Sequence, residues 1–268
     1  MTVTQPKPGI LLEGRGLRKE FTTRRGIQRS TMTAVDDVNI EIAPASTVAV
    51  VGESGSGKST LARMCGLLLE PTAGEVIFDG EVVTAADVRL LRRNVQFVFQ
   101  DPFSSLNPRQ SVEQIVTAPL RYQGITIKGS PRTFAQNLIA RVGINPDFVD
   151  RLPSQFSGGQ AQRIGIARAL ACRPKLIICD EAVSALDVSG QAEVLQLLVD
   201  LQADYGLSYL FITHDLAVVR LIATEITVMQ GGRLVESGDA SQVLDHPQEQ
   251  YTKDLLQAVP AYPESWGI

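Results

Sequence analysis

Residues 47–60 read Thr47-Val48-Ala49-Val50-Val51-Gly52-Glu53-Ser54-Gly55-Ser56-Gly57-Lys58-Ser59-Thr60, and this stretch decides the fold. TVAVVG reads as a buried strand. A Gly/Ser-rich loop follows, then a helix expected from about Lys58 to Leu69 and closed by Pro71. Gly52 to Ser59 fit GxxxxGK[ST] in the strand–loop–helix context that pattern requires. The glycines let backbone N–H groups turn inward around phosphate oxygens, and the helix N-terminus adds positive partial charge. Lys58 is then placed for the β- and γ-phosphates of a nucleotide and Ser59 for Mg²⁺. Glu53, Ser54, Ser56 and Thr60 complete the candidate binding stretch.

Three other apolar runs end in polar residues: NVQFVF in Gln100, LIIC in Asp180-Glu181, and YLFIT in His214. In a parallel sheet, ligands bind beyond the carboxyl ends of the strands, so these ends should share an edge with the phosphate loop. Phosphoryl transfer gives each a role. Asp180 would hold Mg²⁺, Glu181 would polarise the attacking water, Gln100 would reach metal or water, and His214 would contact the γ-phosphate. Ser157-Gly158-Gly159-Gln160 opens a further helix, AQRIGIARALA, whose N-terminus can receive an anion or can be a plain Ser cap.

Around these motifs the chain reads as an α/β protein. Residues 1–9 form a Pro-rich tail, 10–100 and 161–238 the α/β core, 101–160 an inserted helical subdomain, and 239–268 an extension with one or two helices. Amphipathic stretches at 112–123 and 133–142 supply the insertion's helices. Strands are expected at Val35–Ile42, EVIFDG, NVQFVFQ, 175–179, 208–213 and 225–229, and Gly231-Gly232 turns a hairpin into RLVESG. TTRRGIQRSTMT, residues 22–33, reads as a polar, basic hairpin loop.

The 268 residues include 25 Lys plus Arg against 29 Asp plus Glu, a net charge of −4 that gives no bulk attraction to nucleic acid or anionic lipid. At 44% apolar and 20% charged the chain is not wholesale disordered. No apolar run approaches a membrane span, and MTVTQPKPGI has no signal-peptide pattern. Cys65, Cys172 and Cys179 form no CxxC and read as buried thiols.

The phosphate loop, Gln100, SGGQ, LIICDE, Ser184-Ala185-Leu186-Asp187 and His214 occur in the order of the ABC-transporter ATPase domain, which the chain resembles over roughly residues 10–238. The resemblance implies a P-loop NTPase core with a mostly parallel sheet, an antiparallel β subdomain and an inserted helical subdomain. It implies ATP and Mg²⁺, and two ATPase domains paired head to tail. Ser157, Gly158, Gly159 and Gln160 would then act on the nucleotide of the partner, and Ser184 to Asp187 would line the seam. Phe21 lies where the family places an aromatic that stacks on adenine. QDPFSSLNPR (100–109), FSGGQ and the tail HPQEQYTKDLLQAVP (246–260) look like the ATPase subunits of peptide, opine and nickel importers.

That branch implies two transmembrane permease subunits and a second ATPase subunit, either a different chain or a second copy. A solute-binding protein would act indirectly, and the chain would sit on the cytoplasmic face of a prokaryotic membrane without nucleic acid. An exporter ATPase shares the catalytic motifs and stays open as an alternative. A soluble ABC ATPase acting on nucleic acid usually needs two cassettes or long insertions, which 268 residues do not hold. Ala182 replaces the Pro that commonly follows the catalytic Glu, so a looser turn is expected there. Glu249-Gln250 replaces the usual second His-Pro, and the absence of cysteine from 239–268 speaks against an iron–sulfur tail. Asp101 to Pro108 reads as a loop able to move as a unit. An exposed apolar patch that includes Phe103, Leu106 and Tyr122 is expected to meet a helix of the membrane subunit.

Overall fold

A computed structural model describes residues 9–25 and 28–258. The tail expected at 1–9 falls, apart from Gly9, outside the described residues, as does the end of the extension from 259 onward. The chain divides into two units, Met1–Leu91 with Ser208–Ile268, and Arg92–Leu207.

The first unit begins with β1 (Leu12–Arg25), β2 (Gln28–Ile42), β3 (Thr47–Val51), α1 (Lys58–Cys65), β4 (Ala73–Phe78) and β5 (Glu81–Val82), and α2 (Val88–Asn94) leads into the second. The second holds β6 (Val95–Phe99), α3 (Pro102–Ser105), α4 (Val112–Gln123), α5 (Pro131–Arg141), α6 (Gly158–Leu170), β7 (Leu176–Asp180) and α7 (Val188–Tyr205). The chain then returns to the first unit with β8 (Ser208–Ile212), α8 (Leu216–Ile222), β9 (Glu225–Gln230), β10 (Arg233–Asp239), α9 (Ala240–Asp245) and α10 (Gln250–Gln257).

In the first unit, β2, β1, β4 and β5 form an antiparallel sheet in that order. Beside it, β3 pairs in parallel with both β8 and β9, and β10 closes antiparallel on β9. All five residues of β3 are buried, as expected of a β-branched strand covered on both faces. Ala49, Val51, Ile226 and Val228 pack with Leu216, Val219, Ala240, Val243 and Leu244. Tyr251, Leu255 and Leu256 lie against that cluster, so the C-terminal helices are fastened to the sheet.

Of the stretch read as a loop, residues 22–25 and 28–33 are strand. The β1–β2 pairing runs from Leu12↔Ile42 out to Arg25↔Gln28, with Phe21 opposite Met32 and Thr22 opposite Thr31. Cross-strand threonines stabilise such a ribbon, and this β-branched content outweighed the polar, basic texture that suggested a loop. The first helix also ends early, at Cys65 rather than near Leu69. Gly66 caps it, and Leu67 turns the chain with φ 47.

In the second unit, β6 and β7 are parallel neighbours. The stretch 101–160 is helical throughout its regular structure, with α4 lying where its amphipathic pattern put it. Ser111 and Gln114 cap α4 reciprocally, and Gly124 ends it at φ 68. Leu120, Ala171 and Cys172 form a small core with Ile125, Ile127, Phe134 and Leu138 packed on it. The 18-residue α7 has no counterpart among the sequence expectations. Asp187 caps its start, Gly206 ends it, and it buries Val194, Leu195, Leu198 and Leu201.

Candidate functional site

The first unit builds the phosphate loop at the carboxyl end of β3. Gly52 (φ 147) could not carry a side chain, because its Cβ would lie 2.1 Å from the Met229 carbonyl oxygen. Gly57 (φ 106) is as tightly placed, 2.3 Å from the Ala34 carbonyl oxygen. With glycine at its N-cap, α1 starts without a side-chain cap and without an acidic residue in its first turn. Lys58 is only 5% exposed, and its ammonium donates to the carbonyls of Gly52 and Glu53, both at 2.7 Å. The hydroxyl of Ser56 is buried with no hydrogen-bond partner. Such an orphan costs about 1–3 kcal/mol, and an incoming oxygen would relieve it. A loop that packing holds to glycine at 52 and 57, a buried cation, an uncapped helix start and an orphan hydroxyl together fit a phosphate group. Glu53 N–H donates to the Tyr251 hydroxyl at 3.1 Å, a contact from α10 that the sequence did not suggest.

His214 follows β8, which runs beside β3 with Val50 opposite Ile212. Thr213 N–H donates to the Val50 carbonyl at 3.2 Å, so His214 leaves the sheet at the same edge as the phosphate loop and is exposed there. Asp215 caps α8 just beyond it. Phe21 lies on β1, 37% exposed, with the Lys19 ammonium 5.8 Å from its ring.

In the second unit, Phe99 of β6 is registered against Asp180 of β7. Gln100 and Glu181 are therefore the first residues beyond two adjacent strand ends. Asp180 is buried, Glu181 half-buried and Gln100 exposed. The turn expected to loosen at Ala182 is closed instead. Glu181 adopts φ 52, a conformation that an extended, pre-proline geometry would oppose. The Ser184 hydroxyl donates to the Glu181 carbonyl at 3.0 Å and reaches its Oε2 at 3.5 Å, while Ser184 N–H donates to the same carbonyl at 3.2 Å.

Ser157 caps α6. Its hydroxyl accepts from Gln160 N–H at 3.3 Å, and the Gln160 side-chain oxygen accepts from Ser157 N–H at 3.1 Å. Gln160 is thus engaged in its own helix start. Gly158 and Gly159 have ordinary φ. A Cβ would find only Leu186 Cδ2 at 3.7 Å from the first, and nothing within 4 Å of the second. Local packing does not require glycine here; its absence of a side chain leaves the helix start bare. Ser157 to Gln160 line a cleft of about 530 Å³ with Ala185, Leu186 and Asp187.

The apolar patch is only partly where the sequence put it. Phe103 and Tyr122 are exposed, at 43% and 83%, but Leu106 is buried at 2%. Residues 101–108 are not a plain loop either. Asp101 caps the short α3, whose Ser105 carbonyl accepts from the Arg168 guanidinium of α6, and this anchor turns Leu106 inward. All three cysteines are buried. Burial pushes the Cys65 thiol up to about 12, and it raises those of Cys172 and Cys179.

The profile of one protein family, described as ABC transporter, matches residues 35–184, more than half of the chain. The chain belongs to the ABC transporter family. It is 45% identical over 265 residues to the glutathione import ATP-binding protein GsiA of Escherichia coli (strain K12), and equally so to that of Salmonella typhimurium (strain LT2). The match takes in 97% of this chain but spans 42% of the length of those relatives. Among solved structures it resembles the ATP-binding cassette MJ0796 in a dimeric post-hydrolysis state bound to ADP and Pi. The TM-score is 0.75 at 30% identity, covering 86% of this chain and 99% of that one. CbiO1 of Clostridium perfringens, part of the ABC transporter complex cbiONQ, gives a TM-score of 0.74 at 28% identity over 89% and 92% of the two chains. These cassettes bear out the P-loop NTPase α/β fold.

Proposed function

We propose that this ABC-family chain is the ATP-hydrolysing subunit of an importer for peptides or related small solutes. The observation that carries the reading is the phosphate cradle between β3 and α1, with Lys58 buried in it and the Ser56 hydroxyl unpartnered. The importer assignment is supported by the likeness to GsiA.

Within that reading Lys58 neutralises the β- and γ-phosphates, backbone N–H groups of 52–60 hold their oxygens, and Phe21 stacks on the adenine. Ser59 and Asp180 offer the hard oxygen donors that Mg²⁺ takes, with Gln100 able to join them. Such an ion would offset phosphate charge. Glu181 takes the proton of the attacking water, and His214 contacts the γ-phosphate. Ser157, Gly158 and Gly159 serve the nucleotide of a second ATPase subunit across the cleft they share with Ala185 to Asp187. That second subunit is a different chain or another copy. Two permease subunits receive the motion, a solute-binding protein feeds them, and the chain works at the cytoplasmic face of the membrane. Among the described residues no helix is long and apolar enough to cross it.

Glu181→Gln tests the reaction. It preserves size and removes the carboxylate, so hydrolysis in the assembled complex should fall by about 10²- to 10⁴-fold while ATP still binds. Undiminished turnover would remove Glu181 from the reaction.

A further inference from the structure

Along the face it buries, α6 carries Ala161, Ile164, Gly165 and Ile166, and among them one polar side chain, Gln162, which is 1% exposed. Its side-chain Nε2 donates to the Phe99 carbonyl at 3.1 Å and to the Ala182 carbonyl at 2.6 Å. Phe99 is the residue before Gln100, and Ala182 is the residue after Glu181. The β6–β7 ladder ends at Phe99↔Asp180, where the two strands part. Glu181 leaves that end with a left-handed backbone, so nothing in regular strand geometry dictates where its carboxylate points. A primary amide has two hydrogens, and here one goes to each exiting strand. Methionine or leucine would fill the same volume without joining them.

We infer that Gln162 is a positioning residue: its amide ties the two strand exits together and so holds Gln100 and Glu181 in fixed relation for hydrolysis. This rests on the ATPase reading above. The same helix begins at Ser157 to Gln160, less than two turns earlier, so the bare helix start and the Glu181 turn are held by one rigid element.

Two near-isosteric variants test it in the full chain assembled in its complex. Gln162→Met keeps length and removes both donors; Gln162→Glu keeps shape and presents oxygens to the two carbonyls. Both should lower kcat about 10- to 100-fold, the scale of a misplaced catalytic group. KM for ATP should stay within about threefold, and amide hydrogen exchange at 99–101 and 181–184 should quicken. A Gln162→Met variant with wild-type kcat overturns the inference. So does a kcat loss matched by an equal loss of ATP affinity or of folded protein, which is what a packing role gives. Unchanged exchange in both segments also overturns it. If the wild type does not hydrolyse ATP, or Glu181→Gln hydrolyses normally, the ATPase reading fails instead, and the exchange measurement still decides whether the tie exists.

Discussion

Glu181 holds a left-handed backbone, which costs a non-glycine residue about 1–2 kcal/mol. The hydrogen bonds from Ser184 and the Gln162 tie offset it. The strand end itself was legible from LIICDE, because an apolar run that stops at two carboxylates marks where a buried strand leaves the sheet. The tie was not, since a lone Gln inside AQRIGIARALA looks like any polar position on a helix. The same limit explains Leu106. Sequence placed it with Phe103 and Tyr122, and only the Arg168 anchor on Ser105 shows why it turns inward. Leu106→Ala should cost about 2–5 kcal/mol in urea unfolding as a core truncation. Phe103→Ala should stay within about 0.5 kcal/mol as a surface change. Similar losses in both would place Phe103 in the core as well. The thiols behave as the sequence suggested. With Cys65 raised to about 12 and the other two raised as well, all three stay protonated at pH 8. A maleimide should label none of them in the folded protein and all three in denaturant, and rapid native labelling would contradict their burial.

Elements were read best where one local signal dominates. β3 and α1 follow from Gly52 to Lys58, and α4 follows from its amphipathic spacing and the Ser111 cap. The β1–β2 ribbon was lost because cross-strand threonine pairing is a relation between two segments, whereas polarity is visible in one. The family resemblance assigns Asp187 to the seam, and in the fold its carboxylate also caps α7. The C-terminal helix α10 was expected, but its reach was not: Tyr251 supplies the acceptor for Glu53 N–H in the phosphate loop. Tyr251→Phe should lower stability by about 0.5–1.5 kcal/mol, the net worth of one hydrogen bond. It should shift ATP affinity by less than about tenfold. Denaturant unfolding and calorimetry would read both, and no change in either would mean that the contact does not form in solution.

At the scale of the whole molecule, the order of motifs along the chain carried the family, and the comparisons bear it out. The compact units were less legible. The stretch 101–160 stood out because it lacks strands, whereas contacts in the folded chain group its helices with β6, β7, α6 and α7. Compactness belongs to tertiary contacts, and no single segment announces it. The candidate machinery is shared out accordingly. Lys58, Ser59, Phe21 and His214 lie in one unit, and Gln100, Ser157 to Gln160, Asp180 and Glu181 lie in the other.

The central claim is that the Gly52–Ser59 cradle takes the phosphates of ATP, with the Lys58 ammonium as its main cation. Calorimetric titration of ATP into the wild type and into Lys58→Ala tests this most directly. A hydrogen bond to a charged group is worth about 1.5–3 kcal/mol, so removing the ammonium should weaken ATP binding by about 10- to 100-fold, with the fold intact by circular dichroism. Equal affinity in the two proteins would contradict the account and place the nucleotide elsewhere.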